Sequence, residues 1–182
     1  MKFTPLAIEG LVLIELDIYT DNRGIFFESF NQKQFKDYGI NVSFVQDNQS
    51  VSKKNVIRGL HFQNEPHSQG KLVSVIKGKV RDVAVDIRPG STTFGQHVVV
   101  ELSESNKRML WIPIGFAHGF SVLEDNTIFF YKCTNFYNRK SERGIRYDDH
   151  VLNIDWGITQ PVVSEKDLLL PGFNEYQSEI DN

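Results

Sequence analysis

The sequence has one cysteine, no long uninterrupted apolar run and no cluster of lysine and arginine. Cys133 cannot pair within the chain, which excludes a disulfide scaffold and a zinc site with several cysteines. A lone thiol is typical of a reducing compartment, so we expect a cytoplasmic location. The apolar stretch at residues 11–14 is interrupted by Glu15. This indicates neither a signal peptide nor a transmembrane helix, and we expect no membrane association.

Basic residues are also slightly outnumbered: 20 Lys and Arg face 23 Asp and Glu, for a formal charge of −3. This balance argues against nucleic acid or an anionic membrane as a partner, but it does not bear on a small anion. The chain of 182 residues is long enough to bury one core. We therefore expect a single domain over residues 1–182.

What recurs along the chain is a short run of Val, Ile, Leu or Phe bounded by Gly, Pro, Asn or Asp, a pattern typical of strands. The clearest runs are 72–76, 80–87, 98–102, 109–112, 119–123 and 127–132. The first two flank Lys77-Gly78-Lys79, which predicts a β-hairpin, and Glu124-Asp125-Asn126 predicts another tight turn. Helices are expected only at 32–38, after Asn31 as a cap, and near 164–168. The spacing of the strands predicts an antiparallel sandwich or barrel.

The histidines at positions 61, 67, 97, 118 and 150 are the first candidates for chemistry. The residues Pro113-x-Gly115-x-x-His118 resemble the second motif of the cupin barrels. A metal-binding cupin also needs a His-x-His pair, and this chain has His61-Phe62-Gln63 instead. One imidazole and one amide make a poor site for zinc or iron. We expect no metal ion, with His61 as an acid or base, and keep a metal site of His61, His67 and His118 as the alternative.

A histidine that removes a proton from carbon needs a cation or donors facing the developing oxyanion. Lys71 opens a predicted strand, and Arg58 lies shortly before His61 in the sequence. Lys71 is equally consistent with a solvated position at the edge of a hairpin. Tyr131 lies in an apolar run, and a buried tyrosine is either a satisfied core residue or a phenol presented to a ligand. No glycine-rich dinucleotide or ATP loop is present, so no cofactor is expected.

The polar segments between the strands resemble, in order and over nearly the whole chain, those of the dTDP-4-dehydrorhamnose 3,5-epimerase family of metal-free cupin enzymes. The matching blocks are Asp21–Phe30, Phe44–Asn48, Val56–Gln63, Gln69–Val73, Asp82–Arg88, Leu110–Pro113, Gly115–Phe120, Tyr131–Lys132, Ser141–Arg146 and Ser164–Asp167. One such block would be weak, but the ordered series is specific.

The resemblance implies an all-β fold, a cupin-type antiparallel β-barrel or jelly roll with a few short helices. It implies that His61 is the base removing protons alpha to a C4 ketone and that Asp167 orients it. Tyr131 would return a proton from the opposite face, and Lys71 would stabilise the enolate oxygen. A base and an acid on opposite sides of a sugar ring are what an inversion requires.

A larger set of residues would contact the nucleotide sugar, and Tyr137 would stack on thymine. The set comprises Arg23, Glu28, Gln46, Asp47, Asn48, Arg58, Lys71, His118, Tyr137, Glu142 and Lys166. Members of the family are homodimers in which an N-terminal segment helps to form the neighbour's site, so the resemblance also implies a homodimer.

We therefore expect an epimerase that inverts C3 and C5 of dTDP-4-dehydro-6-deoxy-D-glucose to give dTDP-4-dehydro-L-rhamnose. Phe62, Phe136 and Tyr147 depart from the residues usual in the family. These departures leave open a dTDP-keto-sugar 3-epimerase or ketoisomerase. A metal-dependent cupin oxygenase and a non-enzymatic sugar- or nucleotide-binding barrel are alternatives of other classes. The oxygenase predicts bound iron or zinc, and the binding barrel predicts dTDP binding without proton exchange.

Overall fold

The structure, a computed structural model, describes residues 1–180, so the last two positions of the predicted domain lie outside the described part. The strands are β1 (Lys2–Pro5), β2 (Val12–Glu15), β3 (Ile18–Asp21), β4 (Gly24–Phe27), β5 (Gln46–Ser52), β6 (Ile57–Gln63), β7 (Lys71–Lys77), β8 (Lys79–Asp86), β9 (His97–Ser103), β10 (Arg108–Ile112), β11 (Phe116–Val122), β12 (Thr127–Cys133) and β13 (Glu142–Gly144). The helices are α1 (Gln32–Tyr38), α2 (Glu165–Leu168) and α3 (Phe173–Ile180). The predicted strand runs are all found, with boundaries that shift by up to three residues.

Two antiparallel sheets face each other across the core. The first sheet has the order β1-β2-β10-β7-β12-β5 and the second has the order β13-β6-β11-β8-β9. Side chains of both sheets, such as Val73 and Phe129 from the first and Ala84 and Phe120 from the second, form one buried cluster between them. The prediction of an all-β antiparallel fold is therefore confirmed. Strands β3 and β4 pair only with each other and form a separate hairpin, which we call the arm (Ile18–Phe27).

The two predicted helices are confirmed, and local capping explains both. The Asn31 side chain accepts hydrogen bonds from the backbone N–H groups at positions 33 and 34, and Ser164 accepts one from Asp167 N. Phe35 of α1 is buried in a cluster on the outer face of the first sheet. Helix α3 was not predicted, and its Phe173 packs in a cluster on the outer face of the second sheet. No helix among residues 1–180 is long and apolar enough to cross a membrane.

The predicted hairpin around Gly78 is wrong, although the turn itself is present. Strand β7 pairs with β10 and β12, whereas β8 pairs with β9 and β11. The chain crosses from one sheet to the other at Gly78, which has a φ of 80° and no room for a Cβ beside Thr127. The turn at Glu124–Asn126 likewise joins β11 of the second sheet to β12 of the first. A glycine turn has the same local signature at a hairpin and at a corner, so the pattern does not identify the pairing.

Candidate active site

A cavity of about 650 Å³ opens between the two sheets. Strands β6 and β11 of the second sheet form one wall, and β5, β7 and β12 of the first sheet form the other. The segment 162–167, which contains the start of α2, closes one side. Residues that are distant in sequence therefore meet around one space.

A bulge in β6 determines which of its side chains enter the cavity. His61 lies opposite His118, but Arg58 lies opposite Phe120, so three steps on β6 match two on β11. Arg58 and His61 consequently both line the cavity, although an odd spacing in a regular strand would separate them. Gly59 makes the bulge possible, since its φ is 123° and an added Cβ would lie 2.5 Å from Gly119 Cα.

His61 is paired with a carboxylate from α2. Its Nε2 lies 2.7 Å from Asp167 Oδ1, and the backbone N–H of Gly59 donates to Oδ2 at 3.4 Å. Burial acts to raise the pKa of Asp167, but the hydrogen bonds and charge of its neighbours, His61 first, outweigh it and lower the pKa. Asp167 is therefore held as an anion that fixes the orientation of the imidazole.

Tyr131 and Lys71 project from the opposite wall. They lie on neighbouring strands β12 and β7, and Lys71 Nζ donates across the cavity to the backbone oxygen of His61 at 3.4 Å. Burial lowers the pKa of Lys71, although the acidic groups of Cys133, Asp82 and Glu142 oppose the shift. Burial raises the pKa of Tyr131, which keeps its phenol protonated at neutral pH. Within residues 1–180 the Tyr131 hydroxyl has no hydrogen-bond partner, so it is free to donate to a ligand.

His118 enters the cavity from β11 with a buried carboxylate behind it. Its Nε2 lies 2.9 Å from Asp82 Oδ2, and Asp82 is fully buried. Sequence reasoning missed Asp82. The alternation along β8 could have revealed it in the sequence. Asp82 and Ala84 face the barrel interior, whereas Val83 and Val85 pack on the outer cluster. A charge at an inward-facing strand position requires a partner, and His118 is that partner.

The mouth of the cavity carries a small polar network around Tyr137. The backbone N–H of Tyr137 donates to Gln46 Oε1 at 2.9 Å, and its hydroxyl donates to Glu142 Oε2 at 2.7 Å. Lys166 Nζ lies 2.6 Å from the other oxygen of Glu142. Burial acts to raise the pKa of Glu142, but the bonds from Lys166 and Tyr137 outweigh it and lower the pKa. Glu142 thus holds both side chains at the entrance.

The structure brings most of the predicted site residues to this cavity. Those that line it are Gln46, Asn48, Arg58, His61, Lys71, His118, Tyr131, Tyr137, Glu142, Lys166 and Asp167. Three others do not reach it. Asp47 binds Lys132 on the outer face of the first sheet at 2.8 Å, Arg23 pairs with Asp21 in the arm at 2.6 Å, and Glu28 accepts a hydrogen bond from Gln34 at 3.1 Å.

Comparisons with known proteins identify the family to which the chain belongs. The family model described as dTDP-4-dehydrorhamnose 3,5-epimerase matches residues 5–175. The chain belongs to this family. It is 54% identical over 169 residues to the dTDP-4-dehydrorhamnose 3,5-epimerase of Shigella flexneri, covering 92% of this chain and 93% of that protein. Proteins so named are isomerases, and the sequence prediction of this class is confirmed.

Solved epimerase structures share the whole fold. The dTDP-6-deoxy-D-glucose-3,5-epimerase of Legionella pneumophila, in complex with dTDP-4-keto-L-rhamnose, has a TM-score of 0.94 and 50% identity, covering 98% of this chain and 96% of that one. The epimerase of Bacillus anthracis with TDP and pyrophosphate bound has a TM-score of 0.92 and 42% identity, covering 94% and 99%.

Of the residues that depart from the family pattern, Phe62 borders the cavity, whereas Phe136 and Tyr147 do not line it. The ring of Phe62 packs edge-on against Tyr176, with 5.2 Å between ring centroids, in the outer cluster of the second sheet. Tyr147 packs against that same cluster. Phe136 is exposed beside Tyr137. These positions give the ketoisomerase and 3-epimerase alternatives no observation in their favour.

The three histidines of the alternative metal site do not meet. His67 is absent from the cavity lining and takes part in a loop network, with Nδ1 2.9 Å from Ser141 Oγ and Nε2 3.2 Å from Asn138 Nδ2. In the described part of the chain, no three His, Cys, Asp or Glu side chains are grouped as metal ligands. The His61, His67 and His118 arrangement is therefore not formed.

Proposed function

We propose that the chain inverts C3 and C5 of dTDP-4-dehydro-6-deoxy-D-glucose and releases dTDP-4-dehydro-L-rhamnose. One observation carries the proposal: a carboxylate-paired histidine lies on one wall of the cavity, and a half-buried phenol with no hydrogen-bond partner among the described residues lies on the other. The Legionella relative with dTDP-4-keto-L-rhamnose bound supports the same substrate class.

Each inversion is a pair of proton transfers. His61 takes the proton from the carbon alpha to the C4 ketone, and the electrons of the C–H bond move to the C4 oxygen as an enolate. Tyr131 then gives its proton to the same carbon from the opposite face, and solvent exchange restores both groups. The sequence is redox-neutral and needs no cofactor, because the ketone itself acidifies the proton.

Two further charges favour the enolate. Lys71 supplies a cation where negative charge develops on oxygen, and Asp167 stabilises the imidazolium formed on His61. Lys71 reaches from the first sheet to the backbone of His61, so the cation and the base lie close together. Both interactions strengthen only when charge has moved, which lowers the barrier rather than the energy of the bound substrate.

The nucleotide is proposed to bind at the mouth. Tyr137, whose ring is about half exposed at 52%, stacks on thymine, while Arg58 and Lys166 face the diphosphate. Gln46, Asn48, His118 and Glu142 contact the sugar and nucleotide in the same proposal. Arginine and lysine are the usual partners of phosphate oxygens.

We also propose a homodimer in which the arm reaches the cavity of the partner. The arm exposes an unusual amount of apolar surface for a monomer, including Phe26 at 71% and Tyr19 at 64%. Arg23 and Glu28, which do not reach the cavity of their own chain, lie on or just after the arm. A partner's cavity is the place where they would act.

Two further proposals concern the domain organisation and the cellular location of the protein. We propose that residues 1–182 form one cupin-like domain. One buried cluster lies between the two sheets, and the other two pack on the outer faces of those same sheets. We propose a cytoplasmic location, because the buried Cys133 is unpaired and suits a reducing compartment.

Incubation with the keto sugar in D₂O tests the reaction. We expect deuterium at both C3 and C5 of the product, measured by NMR and mass spectrometry. Label at C3 alone would replace the proposal with a 3-epimerase. In the matched control, His61→Ala should still bind dTDP but incorporate no label, and a variant that retained turnover would contradict the assigned base.

A further inference from the structure

The loop that carries Tyr137 has no regular structure of its own. It joins β12 to β13 across residues 134–141, and Tyr137 is exposed at its tip. Backbone polar groups in such a segment need partners, and an unsupported loop would sample many conformations. Something outside the loop must therefore fix the direction of the Tyr137 ring.

Gln63, the last residue of β6, provides that support. Its Oε1 accepts a hydrogen bond from the backbone N–H of Asn138 at 2.6 Å. Its Nε2 donates to the backbone oxygen of Phe136 at 3.2 Å and to that of His67 at 2.6 Å. Gln63 therefore holds the residues directly before and after Tyr137.

Only an amide satisfies this arrangement, because one end must donate and the other must accept. Gln63 is buried, with 8% of its surface exposed, so its hydrogen bonds do not compete freely with water. It also lies opposite Glu142 in the β6–β13 ladder, and Glu142 receives the Tyr137 hydroxyl. Gln63 thus supports the backbone on both sides of Tyr137 and lies on the strand beside the residue that receives the Tyr137 hydroxyl.

We propose that Gln63 is a positioning residue that pre-orders Tyr137 for the nucleotide. The inference rests on the proposed function, in which Tyr137 contacts thymine. A pre-ordered aromatic ring does not lose freedom when the ligand binds, so the support contributes to affinity. The proton transfers at His61 and Tyr131 do not involve the loop, so removing the support weakens nucleotide binding without slowing the bound enzyme.

Two substitutions of similar size test the proposal. Gln63→Glu keeps the acceptors but places a carboxylate against two backbone oxygens, and Gln63→Met removes every polar contact. Each should raise KM for the dTDP-sugar and Kd for dTDP by about tenfold, the effect of roughly one lost hydrogen bond, with kcat within about twofold of wild type. Steady-state kinetics of deuterium exchange and calorimetric titration of dTDP measure these values. Gln96→Glu, at an exposed position directly before β9, is the matched charge control and should change neither KM nor Kd.

A double-mutant cycle separates positioning from a general structural role. In a Tyr137→Ala background, Gln63→Met should cost little further affinity, because the residue that it positions is gone. Additive losses, an unchanged KM, or a fall in kcat alone would overturn the proposal. If Gln63→Met fails to fold, as judged by circular dichroism, Gln63→Asn keeps the amide but is too short to bridge both sides, and the same outcomes apply.

The wild-type protein keeps the two proposals distinguishable. If it neither binds dTDP nor exchanges label into the keto sugar, the proposed function fails and the positioning role fails with it. If it does both and the Gln63 variants match wild type, only the positioning role is overturned.

Discussion

His61 and Asp167 show how a reactive pair is assembled from distant positions. They are separated by 106 residues, yet Nε2 and Oδ1 lie 2.7 Å apart. His61 is fixed by the β6 bulge, and Asp167 is fixed by the first turn of α2 behind the Ser164 cap. Both supports are rigid elements, which suits a pair whose geometry determines the rate.

Lys71 illustrates the conflict between stability and activity at the same scale. Its ammonium is desolvated in the cavity, and burial lowers its pKa below the ordinary 10.5. We expect Lys71→Met to unfold at a higher temperature than wild type while deuterium exchange falls by about 10²-fold or more. Calorimetry and the exchange assay measure the two effects.

The pH dependence of the Lys71→Met gain has a definite sign. A lysine with a lowered pKa opposes folding fully while both states are protonated, and the penalty disappears as pH rises towards the unfolded value. The thermal gain should therefore be fully present where both states carry the proton and should shrink as pH rises towards 10.5. Lys77→Met, at an exposed position of the same strand, is the control and should show no such trend. A loss of stability at neutral pH for Lys71→Met would contradict the assignment.

Among single residues, those that react with the substrate were easier to predict from the sequence than those that hold them in position. His61, Tyr131, Lys71 and Asp167 were found because the resemblance to the family gives each of them a role in the chemistry. Asp82 and Gln63 stand in two of the matching blocks, but they were passed over because neither belongs to an obvious reactive motif. Their importance depends on which strand face they occupy and on which loop lies opposite, and those are properties of the folded chain.

The β6 bulge is the element on which the second-sheet wall of the cavity depends. Gly59→Ala would place a Cβ 2.5 Å from Gly119 Cα and 2.8 Å from His118 O, at a φ of 123°. We expect a loss of about 2–4 kcal/mol in the free energy of unfolding, from overpacking and backbone strain together. Urea unfolding measures the loss, and the exchange rate should fall with it because both cavity histidines flank the contact.

Gly90 offers a control with the same kind of backbone. Its φ is 76°, but nothing lies within 4 Å of an added Cβ. Gly90→Ala should therefore cost only the conformational term, about 1 kcal/mol, and leave exchange unchanged. Equal losses for the two variants would show that the approach of β6 to β11 is not what matters.

Helices and turns that depend on neighbouring residues could be predicted from the sequence, but the pairing of the strands could not. The cap Asn31 marked α1, because a side-chain acceptor before a helix is readable in sequence, whereas the Ser164 cap of α2 became clear only in the structure. The turn at Gly78 was equally readable, but whether its flanking strands pair depends on contacts far away in the chain. The arm had a signal too, since Asn22-Arg23-Gly24 is a hairpin-type turn, and Gly24 has a φ of 122°.

At the scale of the whole molecule, Arg23 and Glu28 lie outside the cavity of their own chain, and subunit mixing tests whether Arg23 acts in the cavity of a partner. We predict that Arg23→Ala, which is weakly active alone, and His61→Ala, which is inactive alone, regain activity when their subunits are mixed and reassorted. Half of the dimers would be mixed, and each would hold one site with an intact base and an intact partner arm. The recovered exchange should thus approach about one quarter of wild type.

Mixing either variant with itself is the control and should recover nothing. Failure of the unlike pair to recover, once subunit exchange is shown by mass spectrometry of labelled chains, would place Arg23 in its own subunit's function. A monomer in solution would contradict the dimer itself.

The origin of Asp167 in α2 has a consequence for biosynthesis. Every strand of both sheets precedes α2 in the chain, so the ribosome makes the whole barrel before it makes the carboxylate that pairs with His61. A nascent barrel therefore presents an unpaired base, and full reactivity arrives only when residue 167 folds back against β6. Translation order alone delays the activity until the cavity that confines it has been built.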